Sequence, residues 1–250
     1  MGKVVTFASL TYKDISGGVK SAPITGSDGK EMQADVIHLA PGAKLADKVP
    51  QGSDRYLFTL RGETTVTGNG AVHRMSEESF ATLQEGLQFT LSNSGAAEAE
   101  VISIIAPPAA KANGHPGFMG GLTVAQRKTQ PVVDIPEAKK RRIHFVDKSA
   151  AASERGHAMI VLYEKETVTT LHMHPNAESM FVVLTGKVRF TVNGKDAVLE
   201  RGQATHFPAG DRHGLCTAEG DVSFLEFHIP GTFTTVRNDS LAAKDAKDAK

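Results

Sequence analysis

His172 and His174, in the segment LHMHPNAES, are the first residues whose type and spacing could do chemistry. Alternate side chains of a β-strand face the same way, so histidines two apart aim both imidazoles at one side, where a single metal ion can take both. His213, in FPAGDRH, follows a Pro-Gly turn roughly forty residues later, where a hairpin return can bring a third imidazole to the same spot. Three neutral nitrogens plus a carboxylate suit one divalent ion of iron, manganese, nickel, cobalt or zinc, and open coordination positions point to catalysis.

Three further residues fall on strand-like segments near this cluster. His206, Glu226 and His228 are candidate acid/base groups or partners of the ligands if they face the same interior. Cys216 lies close to His213, but a lone buried cysteine ordinarily behaves as a small hydrophobe. His38, His73, His115, His144 and His157 have no spacing that recruits them, and read as surface or linker histidines.

The elements that must position these residues are strands. RYLFTL, ETTVTG, EVISIIA, AMIVLYE, MFVVLTG, KVRFTV and VSFLEFHI are short runs rich in β-branched and aromatic residues, each bounded by Gly, Pro, Asn or Asp. VNGKD places Asn-Gly between two such runs, the chemistry of a two-residue hairpin. Helical periodicity is confined to VAQRK and the SLAAKDAKDAK tail.

The strands come in two copies. Laying Gly62 on Gly186 also lays Gly86 on Gly210, and each copy closes with a late strand and a proline, EVISIIAPP and VSFLEFHIP. On this superposition Lys48 and Pro50 stand where the second copy has its paired histidines, Asp54 or Arg55 holds the carboxylate position, and Phe89 stands opposite His213. The first copy is therefore expected to hold no metal. Between the copies runs a segment rich in Pro, Gly and Lys, which reads as a connection. Its KKRR run, Lys139 to Arg142, reads as a solvated stretch.

Composition bounds the rest. In 250 residues, 40% are apolar and acidic and basic residues balance at 28 each, so the chain should be globular, with no overall field favouring nucleic acid or a membrane surface. The single cysteine permits no internal disulfide, and no stretch has the apolar length of a signal peptide or a membrane span, which together suggest a cytoplasmic protein.

The second copy resembles the cupin superfamily, whose motifs run G-x5-H-x-H-x3/4-E-x6-G and G-x5-P-x-G-x2-H-x3-N. Gly202, Pro208, Gly210 and His213 match the second motif, with Thr217 in place of its final Asn and Glu166 in place of the first motif's opening Gly. The resemblance implies an all-β fold of two cupin-type (jelly-roll) barrels in tandem. The expected organisation is an N-terminal barrel without metal ligands over 1–110, a linker over 111–142, a metal-binding barrel over 143–238 and a polar tail over 239–250.

The resemblance further implies one metal on His172, His174 and His213, with Glu178 as fourth ligand. Glu178 has the motif's separation from His174, yet seven residues rather than six separate it from Gly186, and strict counting back lands on Ser179. Only one of the two can face inward without a bulge. Glu178 is preferred; a Ser179 site would be three-histidine, as in cupin thiol and diketone dioxygenases. The implied function is a metal-dependent enzyme, a dioxygenase or a lyase or isomerase, acting on a small oxygen-rich chelating molecule. The layout also resembles ureidoglycine aminohydrolase, a manganese bicupin whose metal set has a glutamine and a glutamate where this chain has His213 and His172. A non-catalytic ligand-binding cupin is the alternative from another class. The two barrels can bury against each other as subunits of single-cupin dimers do, and a homo-oligomer is compatible with that.

Overall fold

The computed structural model describes residues 1–107, 114–118, 120–147 and 151–237. The polar tail expected over 239–250 lies outside the described residues. Among the described residues, no helix is long and apolar enough to cross a membrane.

Two antiparallel β-barrels follow each other along the chain. In the first, a seven-stranded sheet faces a four-stranded sheet, with strand Asp54–Arg61 among the inner strands of the larger one. In the second, ten strands form one continuous sheet, because strands Glu178–Val192 and His213–Ile229 bend through register shifts and serve both walls. The bend falls at Gly186, at φ +73°, and the matching break in the first barrel falls at Gly62, at φ +84°. A Cβ at Gly186 would collide with the Asp221 carbonyl oxygen, so neither backbone angle nor space admits another residue. The Asn193–Gly194 hairpin forms as expected: both residues have positive φ and Val192 pairs with Lys195.

The arms of the two barrels are exchanged. Strand Lys3–Thr6, at the start of the chain, pairs with Gln203–Phe207 of the second barrel, while Leu122–Gln126 pairs with Ser79–Leu83 of the first. Ser79–Leu83 and Gln203–Phe207 are the same element of the repeat under the Gly62-to-Gly186 superposition, so the exchange is reciprocal. The segment read as a connection thus contributes a strand to the first barrel, and further on supplies Val133–Ile135 and Lys140–Val146 to the second. VAQRK, a helix candidate from sequence, is instead the end of an edge strand running into the 3-10 turn Arg127–Thr129, because pairing with Ser79–Leu83 satisfies its backbone.

Between the barrels lies a shared apolar layer. Even-numbered residues of the two central strands, Tyr56 and Phe58 with Met180 and Val182, meet there around Phe80, Phe145 and Phe227. Phe80 and Phe145 stack with centroids 4.9 Å apart. Odd-numbered residues face the barrel interiors: Leu57 in the first, Phe181 and Val183 in the second. That parity decides which side chains reach the second lumen.

Candidate metal centre

Strand Val168–Met173 carries His172 and leads directly into His174, and His172 is paired across the sheet with His213, the first residue of His213–Ile229. One nitrogen from each of the three imidazoles lies within 4.8 Å of the others. All three rings are buried.

Each ring is fixed through its other nitrogen. His172 Nδ1 donates to the Thr170 carbonyl at 2.9 Å, His174 Nδ1 to the Thr234 carbonyl at 2.9 Å, and His213 Nδ1 to the Asp211 carbonyl at 3.1 Å. A carbonyl can only accept, so the proton sits on Nδ1 and the lone pair on Nε2, the tautomer a metal ligand needs. His213 Nε2 is buried with no hydrogen-bond partner. Burial, reinforced by the neighbouring imidazoles, pushes His174 down to about 4 and His213 to about 3, and burial lowers His172 as well. The cluster is neutral at physiological pH, and the donor set fits a first-row divalent ion.

Glu178, expected as the fourth ligand, does not reach the cluster. It is an even-numbered residue of its strand and points into the layer between the barrels. There its carboxylate accepts from the backbone N–H groups of Lys30, Glu31 and Met32, at 2.7, 3.1 and 3.2 Å, and from His206 Nε2 at 3.1 Å. Burial favours protonation, but these donors outweigh it and hold the carboxyl below its usual range. His206, a candidate acid/base group, is committed to the same pair and so faces away from the lumen.

Ser179 takes the inward position. Its hydroxyl lies 2.9 Å from His228 Nδ1, and His228 Nε2 donates to a Glu226 carboxylate oxygen at 2.7 Å. Glu226 lines the lumen, and the His228 ring, fully buried behind it, lies 4.7 Å from that of His174. Although Glu226 is desolvated, which favours its protonated form, the His228 hydrogen bond and the nearby positive charge of Arg142 hold it ionised, down to about 2.

Residues 159–228 match the family model of the Cupin domain. The match falls within the second barrel. Similar solved structures are the protein Ylba from E. coli, 12% identical over 91% of this chain and 90% of that one with a TM-score of 0.73, and a putative glyoxylate induced protein from Pseudomonas aeruginosa, 20% identical over 90% and 88% with a TM-score of 0.73. Oxalate decarboxylase from Lactobacillus farciminis is 12% identical over 96% and 90%, with a TM-score of 0.72. At these identities the likeness is one of fold. No curated protein matches the chain.

The lumen of the second barrel is a cavity of about 260 Å³ and contains residues that sequence reasoning missed. Lys140, Arg142 and His144 project into it from one strand, and His157 and Tyr163 from the next. The KKRR run is therefore not simply solvated, because pleating turns Lys140 and Arg142 inward. The signal was the spacing of Lys140, Arg142 and His144, two residues apart throughout. A strap over residues 231–237 covers the histidines: Phe233 stacks on His228 with centroids 4.1 Å apart, and Asn176 pins Thr232 and Thr234. Cys216 is half-buried and does not line the cavity.

The first barrel differs at the same level. Phe89 pairs with Asp47, as His213 pairs with His172, so strand register puts Asp47 and Val49 in the positions that simple superposition gave to Lys48 and Pro50. Arg55, inward like Ser179, forms an ion pair with Asp47 at 2.8 Å and lies over the Phe89 ring at 5.2 Å. Asp54, like Glu178, points out of its barrel. It accepts from the Phe118 N–H, the Ser153 hydroxyl and Arg155.

Proposed function

We propose that the second barrel holds one divalent first-row metal on His172, His174 and His213 and is an enzyme acting on a small, oxygen-rich acid that chelates it. The observation that carries this is the set of three Nδ1–carbonyl hydrogen bonds, which leave an Nε2 lone pair on each ring, in a cluster where one nitrogen from each ring lies within 4.8 Å of the others. With Ser179 rather than Glu178 turned inward, the protein supplies three neutral ligands and no charged one. When bound, the metal would supply Lewis-acid polarisation or, if redox-active, oxygen chemistry at the chelated atoms.

The chain's own residues divide the remaining work. Glu226 stays ionised beside the ligands and can accept a hydrogen bond from a hydroxyl or enol group of a molecule bound in the lumen. His228 holds its carboxylate in place, and the hydrogen bond between the Ser179 hydroxyl and His228 Nδ1 fixes the ring. The strap over 231–237 and Phe233 limit water access to the histidines. Oxalate decarboxylase, among the proteins of similar fold, acts on a compound of this acidic, chelating class.

Elemental analysis of the purified chain tests the metal, with one equivalent expected. Oxygen uptake by the iron-loaded protein, with keto acids, diketones, thiols and catechols, then separates an oxygenase from a lyase or isomerase. Glu226→Gln should keep the metal and lower turnover by about 10²–10⁴-fold. A chain that binds no metal, or a Glu226→Gln variant with full turnover, would overturn the reading.

A further inference from the structure

The lumen carries more positive charge than a metal-chelating head group would require. Lys140, Arg142 and Arg237 line it, while Glu226 is the only carboxylate among the lining residues and is already engaged by His228. Lys140 has a defined place: its ammonium donates to the Thr169 hydroxyl and lies 4.6 Å from the Tyr163 ring centroid. Arg142 is less committed: its charge acts on Glu226, but its Nε is buried without a hydrogen-bond partner. An unsatisfied guanidinium N–H inside a cavity is costly unless a ligand completes it. Burial together with the adjacent Arg142 and Arg237 lowers the Lys140 pKa, so the cations are close enough to repel one another.

Building on the proposed metal site, we infer that Arg142, with Lys140 and Arg237 beside it, forms a subsite for a second carboxylate of the substrate. The substrate class is then a small dicarboxylic acid, one end chelating the metal and the other held by the guanidinium. A guanidinium presents its N–H donors as a planar fork that matches a carboxylate in two hydrogen bonds, which an ammonium cannot do. The cavity's roughly 260 Å³ limits the ligand to a short chain. Placement on strand Lys140–Val146, away from the strands that carry the histidines, separates the two recognition elements.

Calorimetric titration of the full, manganese-loaded chain with succinate and with butyrate tests this, because the two acids differ only in the second carboxylate. Succinate should bind at least about tenfold more tightly. Arg142→Gln should bring that ratio close to one while metal content and butyrate affinity stay as in the parent. Equal affinity for the two acids in the parent, or a ratio that survives Arg142→Gln, would overturn the subsite. Inorganic phosphate binding more tightly than succinate, with the same dependence on Arg142, would overturn the carboxylate assignment. A chain without metal that keeps the Arg142-dependent ratio would sink the metal reading alone, and a metal-loaded chain without the ratio would sink the subsite alone.

Discussion

The two barrels present opposite solutions at the same level of the same fold. The second arranges His172, His174 and His213 as neutral donors around shared space and leaves a cavity beside them. The first has Asp47, Val49 and Phe89 in those positions and lays its own cation, Arg55, across them, with Leu45, Leu57, Val66 and Leu91 filling the interior. On their outer faces the barrels agree: Asp54 and Glu178, at equivalent positions, each grip a segment of the other half. The sharpest difference thus lies in the lumen. The outward carboxylates share a role with different partners, backbone N–H groups and His206 for Glu178, and Phe118 N–H, Ser153 and Arg155 for Asp54.

The sharpest way to break this contrast is to remove one imidazole. His174→Ala should take the metal content from one equivalent to near zero, since a chelate that loses one of three protein ligands loses most of its affinity. Asp47→Ala in the first barrel should leave the content unchanged. Melting of His174→Ala should match that of metal-stripped parent, because the barrel core is built by apolar packing. Two equivalents in the parent would mean that the first barrel also binds, and the contrast would fall.

The shared clasp predicts the next largest effect. Glu178→Gln leaves His206 and three backbone N–H donors facing a neutral amide, and should cost about 2–4 kcal/mol of stability without changing metal content. Its folded-state pKa lies below the ordinary value of 4.5, so the carboxylate's contribution is present above that value and lost as pH falls through the depressed one. The gap in stability between parent and variant should therefore narrow in acid, as read by denaturant titration at pH 7 and pH 3. Loss of metal in Glu178→Gln would return this residue to the ligand set.

Ser179→Ala should have a smaller effect, about 1 kcal/mol, with full metal content, because it removes one hydrogen bond to His228. The choice between Glu178 and Ser179 shows what a sequence can carry. The histidine cluster was legible because spacing by two on a strand fixes facing, and the repeat because its glycines sit at backbone angles other residues avoid. The facing of Glu178 was not, since the strand is apolar on both sides: Met180 and Val182 pack between the barrels and Phe181 and Val183 inside one. A strand buried on both faces has no polar alternation to reveal its parity. The exchanged arms were hidden for a related reason, because edge pairing between residues as distant as Val4 and Thr205 leaves no local pattern.

Arg55→Met sharpens the comparison with the smallest effect. Asp47, at the rim, can regain water when its partner goes, so that ion pair contributes little. Asp35 is different: burial raises it to about 6, and Arg55 is what opposes that rise. Between its ordinary value of 3.8 and the raised one, the folded chain holds a proton that the unfolded chain releases, so stability falls as pH climbs through this window. Without Arg55 the folded value rises further, the window extends upward, and more stability is lost by pH 7. The variant should be about 1 kcal/mol less stable than the parent at pH 7 and equal to it near pH 4, where Asp35 is protonated in both. Unfolding titrations at the two values would show this directly. A loss of several kcal/mol at both would mean that Arg55 anchors the first barrel by packing, and that it is not simply the charge standing where the second barrel keeps its histidines.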